Sequence, residues 1–459
     1  MATAKKGSKG RNGAGGESTD SNQTEPKAAA SESPKKAASE SPKRAEPKGE
    51  TGASEVPIPG FSDNIRLGGE AQSLFTKGAA VAVIGLGGAV VLGAMEGDGF
   101  RRFFHAYLVA FMVALAISLG TLYWVTLQHL VNARWSVVVR RIGELYANNA
   151  PLMGVLALPI VIPILMGNPV IYEWADHAKV EADHLLHHKA AYLNPGFFLV
   201  RMVIYFGFWS LLARYFFRTS LLQDKGARGD HLTAMQRVAG PGMIVFALTL
   251  TFCAVDLLMS IDARWFSTIF GVYYFASCVL CANATVTLSA MWLQGKGRLS
   301  KSVTTEHFHD LGKMLFAFTV FWAYVGFSQF MLIWYANIPE ETLWFKERFA
   351  HGWGNLSYVL LFGHFVIPFF GLLSRHVKRN RTGLAFWAIW LIVMVYLDMY
   401  WLVMPSIAHE GPPFGLVDVL CFAGMLGALV AGVAQRARSV NLIPTKDPRL
   451  ERSLTFQNI

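Results

Sequence analysis

The stretch HFHDLGKMLFAFTVFWAYVGFSQFMLIWYANIPEET, residues 307–342, decides the fold. From His309 to Tyr335 a helix rising 1.5 Å per residue covers about 40 Å, enough to cross the roughly 30 Å hydrocarbon layer of a bilayer with some tilt. His309, Asp310 and Lys313 stand at its entrance. Trp334 and Tyr335 stand at its exit, the level at which amphipathic rings prefer the headgroups. From Asp310 onward the polar positions Lys313, Tyr324, Ser328 and Tyr335 are separated by steps of three, four or their sums, so they share one helical face. A polar stripe through a membrane-spanning helix is expected to face protein or a water-filled path.

The rest of the chain fits this reading. Of 459 residues 53% are hydrophobic and only 16% charged, with a mean hydropathy of +0.35. That is too apolar for compact soluble domains and implies a polytopic membrane protein. No apolar core suited to a cleavable signal peptide lies between Met1 and Asn64, so this tail is expected to stay where it is made. It is rich in Ala, Ser, Gly, Pro, Lys and Glu and echoes SESPKKAA (from Ser31) in SESPKRAE (from Ser39), so residues 1–65 are expected to be a disordered cytoplasmic tail. Residues 1–60 carry ten Lys/Arg and eight Asp/Glu, only +2 of the net +10. The remaining positive charge belongs to the membrane part and is explained by orientation, so no nucleic-acid partner is expected. The four cysteines, Cys253, Cys278, Cys281 and Cys421, all fall in apolar stretches, which argues against a disulfide framework.

After Arg66 the hydropathy resolves into ten spans, centred on residues 77–95, 103–126, 150–167, 196–216, 241–261, 267–292, 310–335, 354–373, 383–403 and 414–434. The fold class expected is therefore an all-α membrane protein with ten transmembrane helices, the membrane domain covering 66–435 and a cytoplasmic C-terminal tail 436–459. Alternate loops differ in charge. With a cytoplasmic N-terminus the inside loops carry sixteen Lys/Arg, including Arg134, Arg140 and Arg141, and the outside loops seven. Basic residues resist translocation, so both termini are placed in the cytoplasm. The longest outside connection, 168–195, holds His177, His184, His187 and His188 beside Asp176, Glu181 and Asp183. Neither HExxH nor CxxC accompanies them, and a solvated helix is preferred over a metal site.

Ionisable groups inside a bilayer are costly and mark candidate functional sites. Sorted by predicted depth, His129, His309, Asp310 and Lys313 form an inner group, His364 is central, and Asp256, Asp398 and Asp418 form an outer group. This is the pattern of two proton half-paths. Each group also has a plainer reading: Asp310 pairs with Lys313 near the first turn, and His364 hydrogen-bonds inside a bundle. Thr249, Cys253, Asp256 and Ser260 make a second polar stripe along the fifth span. No CxxCH, Walker A, Rossmann glycine pattern or iron–sulfur cysteine set occurs, and His364 has no second deep histidine with which to hold haem. Redox work would therefore need a mobile carrier instead of a resident cofactor.

Residues 309–342, together with DLLMSIDARWFSTIFGVYYFAS (Asp256 to Ser277) and KAAYLNPGFFLVRMVIYF (Lys189 to Phe206), closely resemble the shorter of the two NrfD/polysulfide-reductase-like membrane subunits of bacterial alternative complex III. The likeness runs from about residue 66 to the end of the tenth span. It implies two four-helix bundles, spans two to five and six to nine, with the first and tenth spans peripheral. It also implies a place in the bacterial inner membrane, within a complex that oxidises menaquinol or ubiquinol and passes electrons to cytochrome c or an oxidase. The partners implied are a multihaem cytochrome, an iron–sulfur protein, a monohaem cytochrome, the longer NrfD-like subunit and, in some assemblies, a terminal oxidase, together with lipid. A supporting or proton-translocating role fits this subunit as well as quinone binding does. A quinone headgroup here would need a donor and an acceptor at the outer rim of the first bundle, for which His105, Arg201 and Asp256 are the candidates. The alternative from another class is a proton-coupled secondary transporter, for which Pro159, Pro163 and Pro368 supply helix interruptions.

Overall fold

The computed structural model describes residues 63–458. Residues 1–62, the bulk of the expected disordered tail, lie outside the described residues. Among those described the protein is all α-helical, with ten helices long and apolar enough to cross a membrane. The spans are Glu70–Glu96, Arg101–Leu130, Val137–Leu165, Pro195–Asp224, His231–Ile261, Phe270–Gly295, Thr305–Ala336, Trp353–Leu373, Arg381–Ser406 and Leu416–Ala437. The chain is a polytopic membrane protein. An even number of spans leaves both ends of the described chain on one face, where Arg66 and Asn441 form a backbone bridge. Because the arginine- and lysine-rich loops share that face, it is called the inner face below.

Span 2 is the axis of the molecule. It is almost wholly enclosed, by spans 3 and 5 of its own bundle, by spans 6 and 9 of the other, and by span 10. Spans 2 to 5 pack as one four-helix group and spans 6 to 9 as a second, and the two meet chiefly where span 2 crosses span 6. Glycine makes that crossing possible: a Cβ on Gly120 would stand 1.9 Å from the carbonyl oxygen of Cys278. Spans 1 and 10 form a peripheral antiparallel pair drawn together in the same way, since a Cβ on Gly424 would meet the Leu86 backbone nitrogen at 2.8 Å. Small residues let backbones approach closely where lipid supplies no hydrophobic drive between helices. The outer face of span 1 is apolar and open, with Val83 and Ile84 exposed.

One expectation is corrected by the structure. Hydropathy places the start of the third span near residue 150 and leaves Arg140 and Arg141 in an inside loop, yet the helix begins at Val137 and both arginines are fully buried. Their charges are met by carboxylates: Glu144 lies on the same helix, Asp224 accepts from Arg141 at 2.7 Å, and Asp447 accepts from Arg140 at 2.5 Å. A hydropathy window registers the arginines but not partners brought from elsewhere in the chain. Further along, this span runs as three pieces, Val137–Ala147, Ala150–Leu156 and Leu158–Leu165. The breaks precede Pro151 and Pro159, which lack a backbone donor and crowd the preceding turn.

The stripe on span 7 is turned away from the rest of the chain. Lys313, Tyr324 and Tyr335 share a face as their spacing requires, but that face points outward: Tyr324 is 64% and Tyr335 85% exposed in the isolated chain. The buried face carries Leu311, Leu315, Thr319, Trp322, Gln329 and Ile333 instead. Spacing shows which residues share a face but not which way it turns. The stripe of span 5 behaves as expected, with Thr249, Cys253, Asp256 and Ser260 all buried.

The segment after span 10 folds back under the inner face. Leu442 N donates to Ile65 O at 2.7 Å, Ser453 Oγ donates to Trp135 O at 2.6 Å, and Ser453 O meets His307 Nε2 at 3.1 Å. Residues 440–458 thus form a strap that touches the inner ends of both bundles. Its anchor is Asp447, which accepts from Arg140 and Arg449. Burial alone would raise the Asp447 carboxyl, but these two guanidiniums hold it far below the usual carboxylate range.

Candidate functional site

The local sequence of span 8 builds the centre of the second bundle. Pro368 has no N–H to offer the carbonyl of His364 four residues earlier, and its ring crowds that carbonyl. The helix responds by widening into a π-helical turn over Leu360–Val366. Ile367 N then reaches Phe362 O, five residues back. The loosened carbonyl of Gly363 is taken up by Trp390 Nε1 at 2.7 Å. Such π turns are rare and often mark functional positions.

This turn carries His364, which is fully buried. The imidazole stacks on the indole of Trp322, with ring centroids 3.8 Å apart and planes 21° from parallel. Neither imidazole nitrogen has a hydrogen-bond partner among the described residues. The plainer reading, a histidine bonded within the bundle, is therefore not what the structure contains. A buried imidazole in this state has room in its chemistry for water or a proton.

Trp322 turns its other edge to Asp398, donating Nε1–H at 3.1 Å. Tyr273 donates its hydroxyl to the same carboxyl, and Ser277 Oγ does so at 3.3 Å. Asp398 is fully buried, and among the described residues no Lys, Arg or His lies within ion-pair distance of it. Spans 6, 7, 8 and 9 thus converge on one cluster, Tyr273, Ser277, Trp322, His364 and Asp398. A carboxyl buried among hydroxyl and indole donors, with no cation, can accept and release a proton without breaking an ion pair.

The other acids of the outer group are held differently. Asp256 receives Arg201 through both oxygens, at 2.8 and 2.9 Å, and Tyr205 at 2.9 Å. Arg201 is further fixed by Tyr192 O at 2.9 Å and lies 3.9 Å from the Tyr192 ring centroid. This bidentate, stacked geometry is a closed structural pair. Asp418 is paired with Arg102 and caps its own helix by accepting from Gly415 N at 2.8 Å. The three outer acids therefore sit in three separate places, and only Asp398 connects to the central histidine. His105 is elsewhere again, with Nδ1 bonded to Arg101 O at 2.8 Å. The structure does not gather His105, Arg201 and Asp256 around one pocket.

The inner group also divides. His129 is fully buried and stacks on Phe216, with centroids 5.2 Å apart, in the first bundle. Asp310 pairs with Lys313, and Lys313 reaches Asn458 of the strap at 2.7 Å. His309, almost buried beside them, has no partner for Nδ1. Among the described residues no hydrogen bond joins His129 to His309. Cys278 and Cys281 are buried free thiols, and among the described residues no three His, Cys, Asp or Glu side chains are placed to hold a metal.

The outer face carries two adjoining hollows, of about 260 and 350 Å³, that share Glu173, Ile261 and Ser406 as lining residues. The larger is lined by Asp98, Arg101, His105 and Lys179. The smaller is lined by Asp262, Arg264, Trp265, Trp344, Glu347 and Arg348. Arg264 bridges Glu173 and Asp183 at 2.9 and 2.8 Å, and this bond holds the Glu173 carboxyl below its ordinary range. Arg348 is buried against the Trp344 ring, 3.5 Å from its centroid. Its hydrogen bonds go to the carbonyls of Trp344 and Leu402, at 3.0 and 2.9 Å. Burial pushes this guanidinium down to about 9, with Glu347 and Asp262 acting the other way, so it is still a cation at neutral pH.

Trp322, Tyr273, Ser277 and Arg348 escape the sequence reading because none is an ionisable group in mid-span. The one local signal was Pro368 standing four residues after His364. No protein-family model matches the chain, and no curated protein matches it.

Proposed function

We propose that the chain is a membrane subunit of a quinol-oxidising respiratory assembly of the alternative complex III kind, without a redox centre of its own, and that its work is to carry protons through the second bundle. The assembly rests on the resemblance of residues 189–206, 256–277 and 309–342. The proton role rests on one observation, the cation-free carboxyl of Asp398 linked through Trp322 to an unbonded, buried His364. His309, Asp310 and Lys313 supply the inner mouth of such a route.

Quinone binding is not assigned to Arg201 and Asp256, whose hydrogen bonds and charges are already matched to each other. The surrounding partners are a multihaem cytochrome, an iron–sulfur protein, a monohaem cytochrome and the longer NrfD-like subunit, with menaquinol or ubiquinol as the electron source, in a bacterial inner membrane. The transporter alternative gains little, since the breaks in spans 3 and 8 stay helical and leave no unwound segment to bind a substrate. The test is copurification of the tagged chain from native membranes. Recovery with multihaem cytochromes and a large iron–sulfur protein is expected, and isolation as a lone homo-oligomer would contradict the assignment.

A further inference from the structure

Asp398 is fully buried, but helical periodicity sets it directly beneath the smaller outer hollow. Leu402, on the floor of that hollow, lies four residues after Asp398 on span 9, and Phe270, also on the floor, lies three residues before Tyr273 on span 6. One helical turn is 5.4 Å. The carboxyl and the tyrosine that donates to it are therefore one layer of side chains below the hollow.

Arg348 occupies that layer. It lines the hollow and donates to Leu402 O at 2.9 Å. No carboxylate stands in ion-pair contact with it among the described residues, so its position is fixed by two carbonyls and an indole face. The rim above carries Glu173, Asp262, Glu340 and Glu347. Carboxylates at the mouth of a cleft concentrate hydrated cations and hydronium and hold water. A fixed cation beneath them turns such ions back but leaves hydrogen-bonded proton transfer open.

We infer that this hollow is the outer aqueous vestibule through which Asp398 exchanges protons, with Arg348 as the positioning residue that stands between the two. The inference rests on the proton-carrying reading of the second bundle. In the release step Asp398 gives its proton to the Tyr273 oxygen as Tyr273 passes its own hydroxyl proton to vestibule water. The products are a carboxylate, an unchanged tyrosine and hydronium. The carboxylate left behind is held by the Tyr273, Trp322 and Ser277 donors.

Cysteine accessibility in sealed, right-side-out vesicles holding the whole assembly tests this. The native cysteines are all buried. Leu402→Cys and Phe270→Cys on the floor and Glu347→Cys on the rim are treated from outside with membrane-impermeant anionic and cationic thiol reagents. All three are expected to label. Arg348→Gln should lower the anionic-to-cationic rate ratio at Leu402→Cys by roughly tenfold, and Arg348→Lys should restore it, which a purely structural role would not do. The inference is overturned if both floor positions stay unlabelled while the rim position reacts, or if the ratio ignores residue 348. Should Asp398→Asn leave proton movement unchanged while labelling follows the expected pattern, the proton reading itself falls and this inference with it. Failure of the labelling pattern alone removes only the vestibule.

Discussion

The indole of Trp322 lies on the imidazole of His364 and at the same time hydrogen-bonds Asp398, so a single side chain couples two buried groups at the centre of the second bundle that can change charge. Trp322→Phe keeps a ring for the stack but removes the donor. The loss should cost about 1–3 kcal/mol, the usual penalty for stripping a partner from a buried polar group. The expected result is an assembly that forms, with lowered thermal stability and reduced proton movement per quinol oxidised. Unchanged proton movement would separate Trp322 from the route.

Pro368→Ala returns a backbone donor to span 8 and removes the reason for its π-helical turn. Closing one residue of slack rotates the segment before it by about 100°. His364 should then leave the Trp322 face, and proton movement should fall even though no ionisable residue has been changed. His364→Ala should produce the same loss, and Asp310→Asn a loss at the inner mouth, each with assembly intact. Proton stoichiometry in vesicles reads all three.

Gly120→Ala places a methyl group against the Cys278 carbonyl, backbone against backbone, where neither helix can give way cheaply. Overpacking of this kind costs about 1–3 kcal/mol or more. The two bundles should separate or fail to accumulate in the membrane. Gly87→Ala on the first span meets nothing within 4 Å and should be tolerated. The contrast is read from expression and detergent stability of the two variants.

The C-terminal strap should depend on pH through Asp447. Its carboxyl is held far below the ordinary range in the folded state by Arg140 and Arg449. A depressed folded value means that stabilisation is present above the unfolded value near 3.9 and is lost as pH falls below it. Amide exchange of residues 440–458 should be slow at pH 6 and accelerate below about pH 4 after correction for intrinsic rates. Asp447→Asn should make exchange fast at both. Protection that survives Asp447→Asn would show that the strap is held by other contacts.

Much of the architecture is legible in the chain, and what is missing has a common cause. Ten apolar runs announce ten spans because each must satisfy its own backbone in lipid. The start of span 3 is hidden because Arg140 and Arg141 read as loop charges until Asp447, 307 residues after Arg140, is brought to meet them. Span 7 shows the limit of periodicity: Lys313, Tyr324 and Tyr335 do share a face, but the side that packs into the bundle is the quieter one, with Thr319 and Trp322. His364 could be singled out by depth alone. Its link to Asp398 runs through an indole whose importance exists only in three dimensions. Arg201 and Asp256 illustrate the converse, two charges conspicuous in the sequence that turn out to satisfy each other.

The central claim is that Asp398 carries protons, and the measurement that bears on it most directly is the proton-to-electron ratio of the intact assembly in sealed vesicles with Asp398→Asn. Asparagine keeps the volume, its amide oxygen can still accept from Trp322 and Ser277, and its NH2 can donate to the Tyr273 oxygen, so folding should persist. The account predicts that quinol oxidation continues while the protons moved per electron fall to those released by quinol chemistry alone. A variant that oxidises quinol with an unchanged ratio would contradict it.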